Sequence, residues 1–87
     1  MEASKITIDR VCAVVEGALV TANNGKALSV SVDPQSQMGS PKEWDSLAFV
    51  LVFNAIAEEF AIDLEDDDAI HLTSVQTTYD LLKEIEG

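Results

Sequence analysis

Two stretches of helical apolar period, separated by a connection rich in helix breakers, constrain this fold more than any other feature of the sequence. In the first, over residues 7–22, Ile8, Val11, Cys12, Val15, Leu19 and Ala22 recur at three- and four-residue spacings and so share one helical face. Thr7 or Ser4 can cap its start, Asp9 sits in the first turn where the helix dipole favours an acid, and Asn23-Asn24-Gly25 is a stop signal. The second stretch starts at Asp45, a good N-cap, and runs to Phe60, with Phe49, Val52, Phe53, Ile56 and Phe60 as its expected buried stripe. At about 100° per residue, Leu47, Leu51, Asn54 and Glu58 then face the other way. Between the two, Gly25, Pro34, Gly39 and Pro41 rule out a continuous helix. Leu28, Val30 and Val32 alternate with polar residues there, but no partner strand is evident, so the reading is a loop that drops apolar side chains onto the core. A loop of that length in a small domain is often functional.

Further on, Glu65-Asp66-Asp67-Asp68-Ala69-Ile70 allows at most a short helix with acids in its first turn. A last helix is expected from Thr73, with a capping box between Thr73 and Gln76 and an apolar stripe of Val75, Tyr79, Leu82 and Ile85. Each stripe must be buried against another, so the fold class is all-α. The expected architecture is a small three- to four-helix bundle with a long loop between its first and second helices, in one domain over residues 1–87.

Charge and length narrow the function. With 5 Lys+Arg against 16 Asp+Glu, the net charge is -11. Binding to nucleic acid or to an anionic membrane surface needs clustered bases, so both are disfavoured. An acidic domain is steered instead towards basic surfaces. The 87 residues bury roughly 60–65% of the surface exposed on unfolding, enough for a small core but not for a large enclosed active site. One cysteine gives neither an internal disulfide nor a Cys-based zinc site. There is no signal-peptide pattern, and the apolar run from Leu47 to Ala57 is too short to span a bilayer. A cytoplasmic chain without membrane insertion is expected, acting as a monomer; the Met1 start and the length favour a free-standing protein.

Chemical constellations are few. His71 is the only histidine and has no catalytic companions; Cys12 lies on the first apolar stripe and reads as a buried, inert thiol. Asp66-Asp67-Asp68 lacks the alternation, central Gly and terminal Glu of a calcium loop. Trp44 reads as a cover over the core where the loop meets the second helix. The exception is Asp45-Ser46-Leu47. A serine at that point has its hydroxyl in solvent at the positive end of a helix, where free N–H groups of the first turn would favour an attached phosphate. Read locally, Asp-Ser is merely a capping pair.

The order of elements around that tripeptide resembles the acyl carrier proteins over nearly the whole chain. Asp45-Ser46-Leu47 is similar to the family's Asp-Ser-Leu motif at the start of its second helix, Glu58-Glu59-Phe60 to the acidic end of that helix, Thr73-Ser74-Val75-Gln76 to the start of its fourth helix, and Thr7-Ile8 with Arg10-Val11 to its first. The resemblance implies a covalent 4'-phosphopantetheine on Ser46, flanked by Asp45 and Leu47, that carries acyl or aminoacyl groups as thioesters. It implies a partner-docking face at Leu47, Val50, Leu51, Asn54 and Glu58. It also implies three kinds of partner: a phosphopantetheinyl transferase, an acyl- or aminoacyl-loading ligase, and a downstream synthase or transferase. Such a chain is not itself an enzyme.

The departures from the family pattern matter. Glu43 stands where the family usually has Gly, and Ala48, Leu51 and Ala57 occupy outward positions that usually carry acids in fatty-acid carriers. The docking face is thus expected to be more apolar than usual, which suits a specialised carrier rather than the main fatty-acid one; the alternative is that the first loop partly covers Leu47 and Leu51. A reading of another class is an acidic helical interaction module without a prosthetic group, for which Leu47 and Leu51 would form the interface.

Overall fold

The structure, a computed structural model, describes residues 6–86. Helix α1 spans Ile8–Ala22, α2 spans Ser46–Glu59, a 3-10 helix spans Asp66–Thr73 and α3 spans Val75–Glu86. The described residues form an all-α bundle with no named strand; the nearest approach to a sheet is a pair of isolated bridges, from Gln37 to Ser40 and from Gln37 to Ser74.

Thr7 caps α1, its Oγ1 accepting the Arg10 N–H at 3.1 Å; Ser4, the other candidate cap, lies outside the described residues. The expected stop forms as the sequence predicts. Asn24 and Gly25 take positive φ angles of 60° and 80°, and the Gly25 N–H returns to the Val20 carbonyl at 2.8 Å. Of the expected stripe, Val11, Val15 and Leu19 are buried and Ile8 and Cys12 half-buried, but Ala22 is exposed and Ala18 is buried in its place. Ala22 belongs to the last turn, which outruns the core.

Helix α2 runs antiparallel to α1. Ala22 and Asn23 line a cleft with Asp45 and Ala48 at one end of the pair. At the other end Arg10 pairs with Glu59 and lies 5.2 Å from the centre of the Phe60 ring. The face of α2 that enters the core is Ala48, Val52 and Ile56, all at most 1% exposed. This corrects the sequence reading by roughly 50° of rotation about the helix axis. Phe49, Phe53 and Phe60 are only half-buried, and Ala48, read as an outward position, is inside. Periodicity weights the large phenylalanines, whereas close antiparallel packing prefers the small side chain at the crossing.

Trp44 does more than cover the core: it is fully buried within it, and its indole N–H is buried without a hydrogen-bond acceptor. The long connection is held down by backbone bonds to the start of the last helix, Met38 N–H to the Thr73 carbonyl at 2.8 Å and Val75 N–H to the Ser36 carbonyl at 3.0 Å. It buries Val32, half-buries Leu28 and leaves Val30 exposed, so the alternation in the sequence reflects a chain lying along the core without a strand partner.

The final helix departs in its cap. Ser74, not Thr73, starts it: the Ser74 Oγ accepts the Thr77 N–H at 3.2 Å. Thr73 donates its hydroxyl to the Ile70 carbonyl, and Gln76 bonds Asp80, so the expected box does not form. A carboxylate return of the same kind appears earlier instead, where the Asp68 side chain accepts the Glu65 N–H at 3.0 Å. Val75 and Leu82 are buried as expected and Tyr79 is half-buried; Ile85 is exposed, and Thr78 takes an inside position, its hydroxyl 2.7 Å from the Ser74 carbonyl. A threonine can occupy the core there because a helical carbonyl one turn back satisfies its hydroxyl.

Candidate functional site

Ser46 is the first residue of α2 and is exposed. Its position is fixed by Asp45, whose Oδ1 accepts the N–H groups of Leu47 at 3.1 Å and Ala48 at 2.9 Å, while the Asp45 carbonyl takes the Phe49 N–H at 2.8 Å. The N–H groups of Leu47 and Ala48, expected to be free for a phosphate, are therefore already satisfied by the capping carboxylate. What Ser46 retains is the dipole of the helix and open solvent around its hydroxyl.

The approach to Ser46 is held by the residue that departs from the family pattern. The Glu43 carboxylate accepts the Ser29 N–H at 3.1 Å and the Ser29 hydroxyl at 2.9 Å, pinning the long connection to the base of α2. Desolvation pushes the Glu43 carboxyl up, but hydrogen bonds from its own backbone and from Ser29, with Lys42 nearby, outweigh it and hold its pKa below the ordinary value.

The five docking candidates come together. On a helical projection Leu47, Val50, Leu51, Asn54 and Glu58 share an arc of about 100° on the side of α2 opposite the core, and all five are exposed. Leu47 is 83% exposed, Val50 55% and Leu51 38%, so the first loop does not cover Leu47. Of the two glutamates at the acidic end, Glu59 is engaged by Arg10, and Glu58 stands on the outer arc.

Two features beside Ser46 are absent from the sequence reading. Ile70, on the 3-10 helix, is 72% exposed and extends the apolar surface from α2. An apolar cleft of about 310 Å³ also opens next to Ser46, lined by Met38, Ser46, Phe49, Ala69, Ile70 and Thr73. In the sequence Ile70 is not distinguishable from Leu72 two residues on, which is fully buried; only the structure shows which of the two faces out.

The remaining candidates stay apart. Cys12 is half-buried rather than fully buried, and burial, together with Asp9, Asp33 and Glu16, pushes its thiol pKa above the ordinary value. His71 is exposed, and its carbonyl rather than its ring is used, receiving the Thr77 hydroxyl at 2.7 Å. Among the described residues no group of three or more His, Cys, Asp or Glu could hold a metal ion, and no helix is long and apolar enough to cross a membrane.

Comparison with known proteins gives a partial likeness. Over 39 residues the chain is 46% identical to an acyl carrier protein of Buchnera aphidicola subsp. Baizongia pistaciae. The matched stretch covers 45% of this chain and 50% of that protein, so the chain spans about half the length of the curated relative it matches. No protein-family model matches the chain, and no solved structure matches it.

Proposed function

We propose that this chain is a carrier whose Ser46 hydroxyl bears a 4'-phosphopantetheine arm and which hands acyl or aminoacyl groups between partner enzymes. The observation that carries this reading is the exposed Ser46 at the first position of α2, opening directly onto an apolar cleft. The partial identity to an acyl carrier protein supports it. The residues present suit the group: the serine is accessible to a modifying enzyme, and Leu47 beside it offers an apolar contact to that enzyme. When bound, the arm supplies a terminal thiol on which the cargo rides as a thioester. The chain's own part is to hold Ser46 on a rigid helix end, present the arc from Leu47 to Glu58 to partners, and shelter apolar cargo against Met38, Phe49 and Ile70.

The partners implied are a phosphopantetheinyl transferase, a loading ligase and a downstream synthase or transferase. The apolar character of the docking arc, with Leu51 facing out, favours dedicated partners over the generic fatty-acid machinery. Normal turnover of the loaded protein by generic fatty-acid synthase enzymes would count against that narrower reading.

The carrier reading is tested by intact mass after incubation with coenzyme A and a broad-specificity phosphopantetheinyl transferase. A phosphopantetheine increment on the wild type that disappears in Ser46→Ala is the expected result. No increment with any transferase tested would favour the second reading, an acidic interaction module whose exposed Leu47, Val50 and Ile70 form a protein interface.

A further inference from the structure

The cleft beside Ser46 has a neighbour. A second apolar cleft, of about 290 Å³, lies one turn further along α2 and is lined by Phe49, Val50, Phe53, Asp66 and Ala69. Phe49 and Ala69 line both clefts, one from α2 and one from the 3-10 helix. These two residues mark the boundary between the clefts, and Phe49 is the larger of them. The ring lies beside that of Phe53, with centres 6.2 Å apart and planes tilted by 57°, within the distance range of favourable aromatic pairs. The core beneath offers no alternative route, because Val52, Ile56, Leu72 and Val75 are fully buried and packed.

Building on the carrier reading, we propose that Phe49 sets the length of apolar cargo this protein can shelter, and that its cargo is a short acyl group. A short chain fits the cleft between Met38, Ile70 and Phe49. A longer one meets the ring, and its further methylenes stay in water, where they contribute nothing to stability. Removing the ring joins the clefts into one trough along α2, in which each further methylene leaves water.

The test loads the protein from acetyl-, hexanoyl- or dodecanoyl-coenzyme A with a broad-specificity transferase, verifies each species by intact mass, and compares its Tm with that of the same variant carrying the unacylated arm. In the wild type, Tm is expected to rise from acetyl to hexanoyl and then level off. In Phe49→Ala, dodecanoyl is expected to add a further rise of about 4 °C or more over hexanoyl. Because each variant is its own reference, loss of the ring contact cancels, and Phe49→Leu, with a smaller side chain and a retained apolar contact, should shift the same way by less. Failure to load at all would show in the mass spectrum and overturn the carrier reading together with this one. Loading with a wild-type Tm that climbs from hexanoyl to dodecanoyl as steeply as in Phe49→Ala would overturn the role of Phe49 and leave the carrier reading standing.

Discussion

Replacing Asp45 and Ser46 one at a time separates the residue that starts α2 from the residue that α2 presents. Asp45 takes two first-turn N–H groups on one carboxylate oxygen, at 3.1 and 2.9 Å. Asp45→Ala leaves both donors to water and removes a favourable charge at the helix start, a cost of about 1 kcal/mol and at most about 2. For a domain of this size that lowers Tm by roughly 4–8 °C for each kcal/mol. Ser46 is exposed and already helical, and alanine is the better helix former, so Ser46→Ala should leave stability within about 0.5 kcal/mol of wild type. Urea denaturation followed by circular dichroism measures both; the midpoint should move only for Asp45→Ala, with the slope unchanged. A Ser46→Ala variant destabilised by more than about 1 kcal/mol would mean that the serine is part of the fold and not a presented hydroxyl. An Asp45→Ala variant with an unmoved midpoint would refute the capping geometry.

Two further outcomes follow from burial and charge. Ile56→Ala, in a fully buried side chain, should cost about 2–5 kcal/mol, whereas Leu47→Ala, at 83% exposure, should fall within about 0.5 kcal/mol of wild type; equal urea midpoints for the two variants would contradict the rotation assigned to α2. Glu43 is held below the ordinary value of 4.5, so its bonds to Ser29 contribute stability that is present above the unfolded-state pKa and is lost as pH falls through the folded one. An NMR titration of the Glu43 carboxyl carbon should therefore show a midpoint below 4.5 that rises in Ser29→Ala, and a midpoint at or above that value in the wild type would refute the anchor.

The elements were legible where local chemistry decides them. The cap of α1, its Asn-Gly stop and the start of α2 at Asp45 all follow from side chains acting within a few residues of themselves. What the sequence misplaced depends on neighbours far along the chain. The buried face of α2 is centred on Ala48, Val52 and Ile56 because α1 packs there, and nothing within α2 says that an alanine outranks two phenylalanines. Thr73 instead closes the preceding 3-10 helix, its hydroxyl donating to the Ile70 carbonyl and its carbonyl accepting the Met38 N–H from the long connection. The serine site itself was legible as a tripeptide. The cleft beside it was not, since it needs Met38 from the connection, Phe49 from α2 and Ile70 from the 3-10 helix to meet.

The acids and the apolar arc divide the work of recognition on the carrier reading. The chain carries 16 acids and five bases, and one of those bases, Arg10, is committed to Glu59 and Phe60 at the far end of α2. Around the exposed Leu47, Val50 and Ile70 stand Asp45, Glu58 and Asp66, all exposed. A partner approaching Ser46 therefore meets negative charge at the rim and carbon in the middle. Rim charges act chiefly on the rate of encounter and are screened over about 8 Å at physiological salt. The apolar centre excludes water and governs how long the complex lasts. A partner bearing bases alone would arrive quickly and leave quickly. One that adds an apolar surface opposite Leu47 and Val50 would stay long enough to work on a group held at Ser46. On the carrier reading, the exposed Leu51 therefore bears on the choice of partner and not merely on how tightly the domain folds.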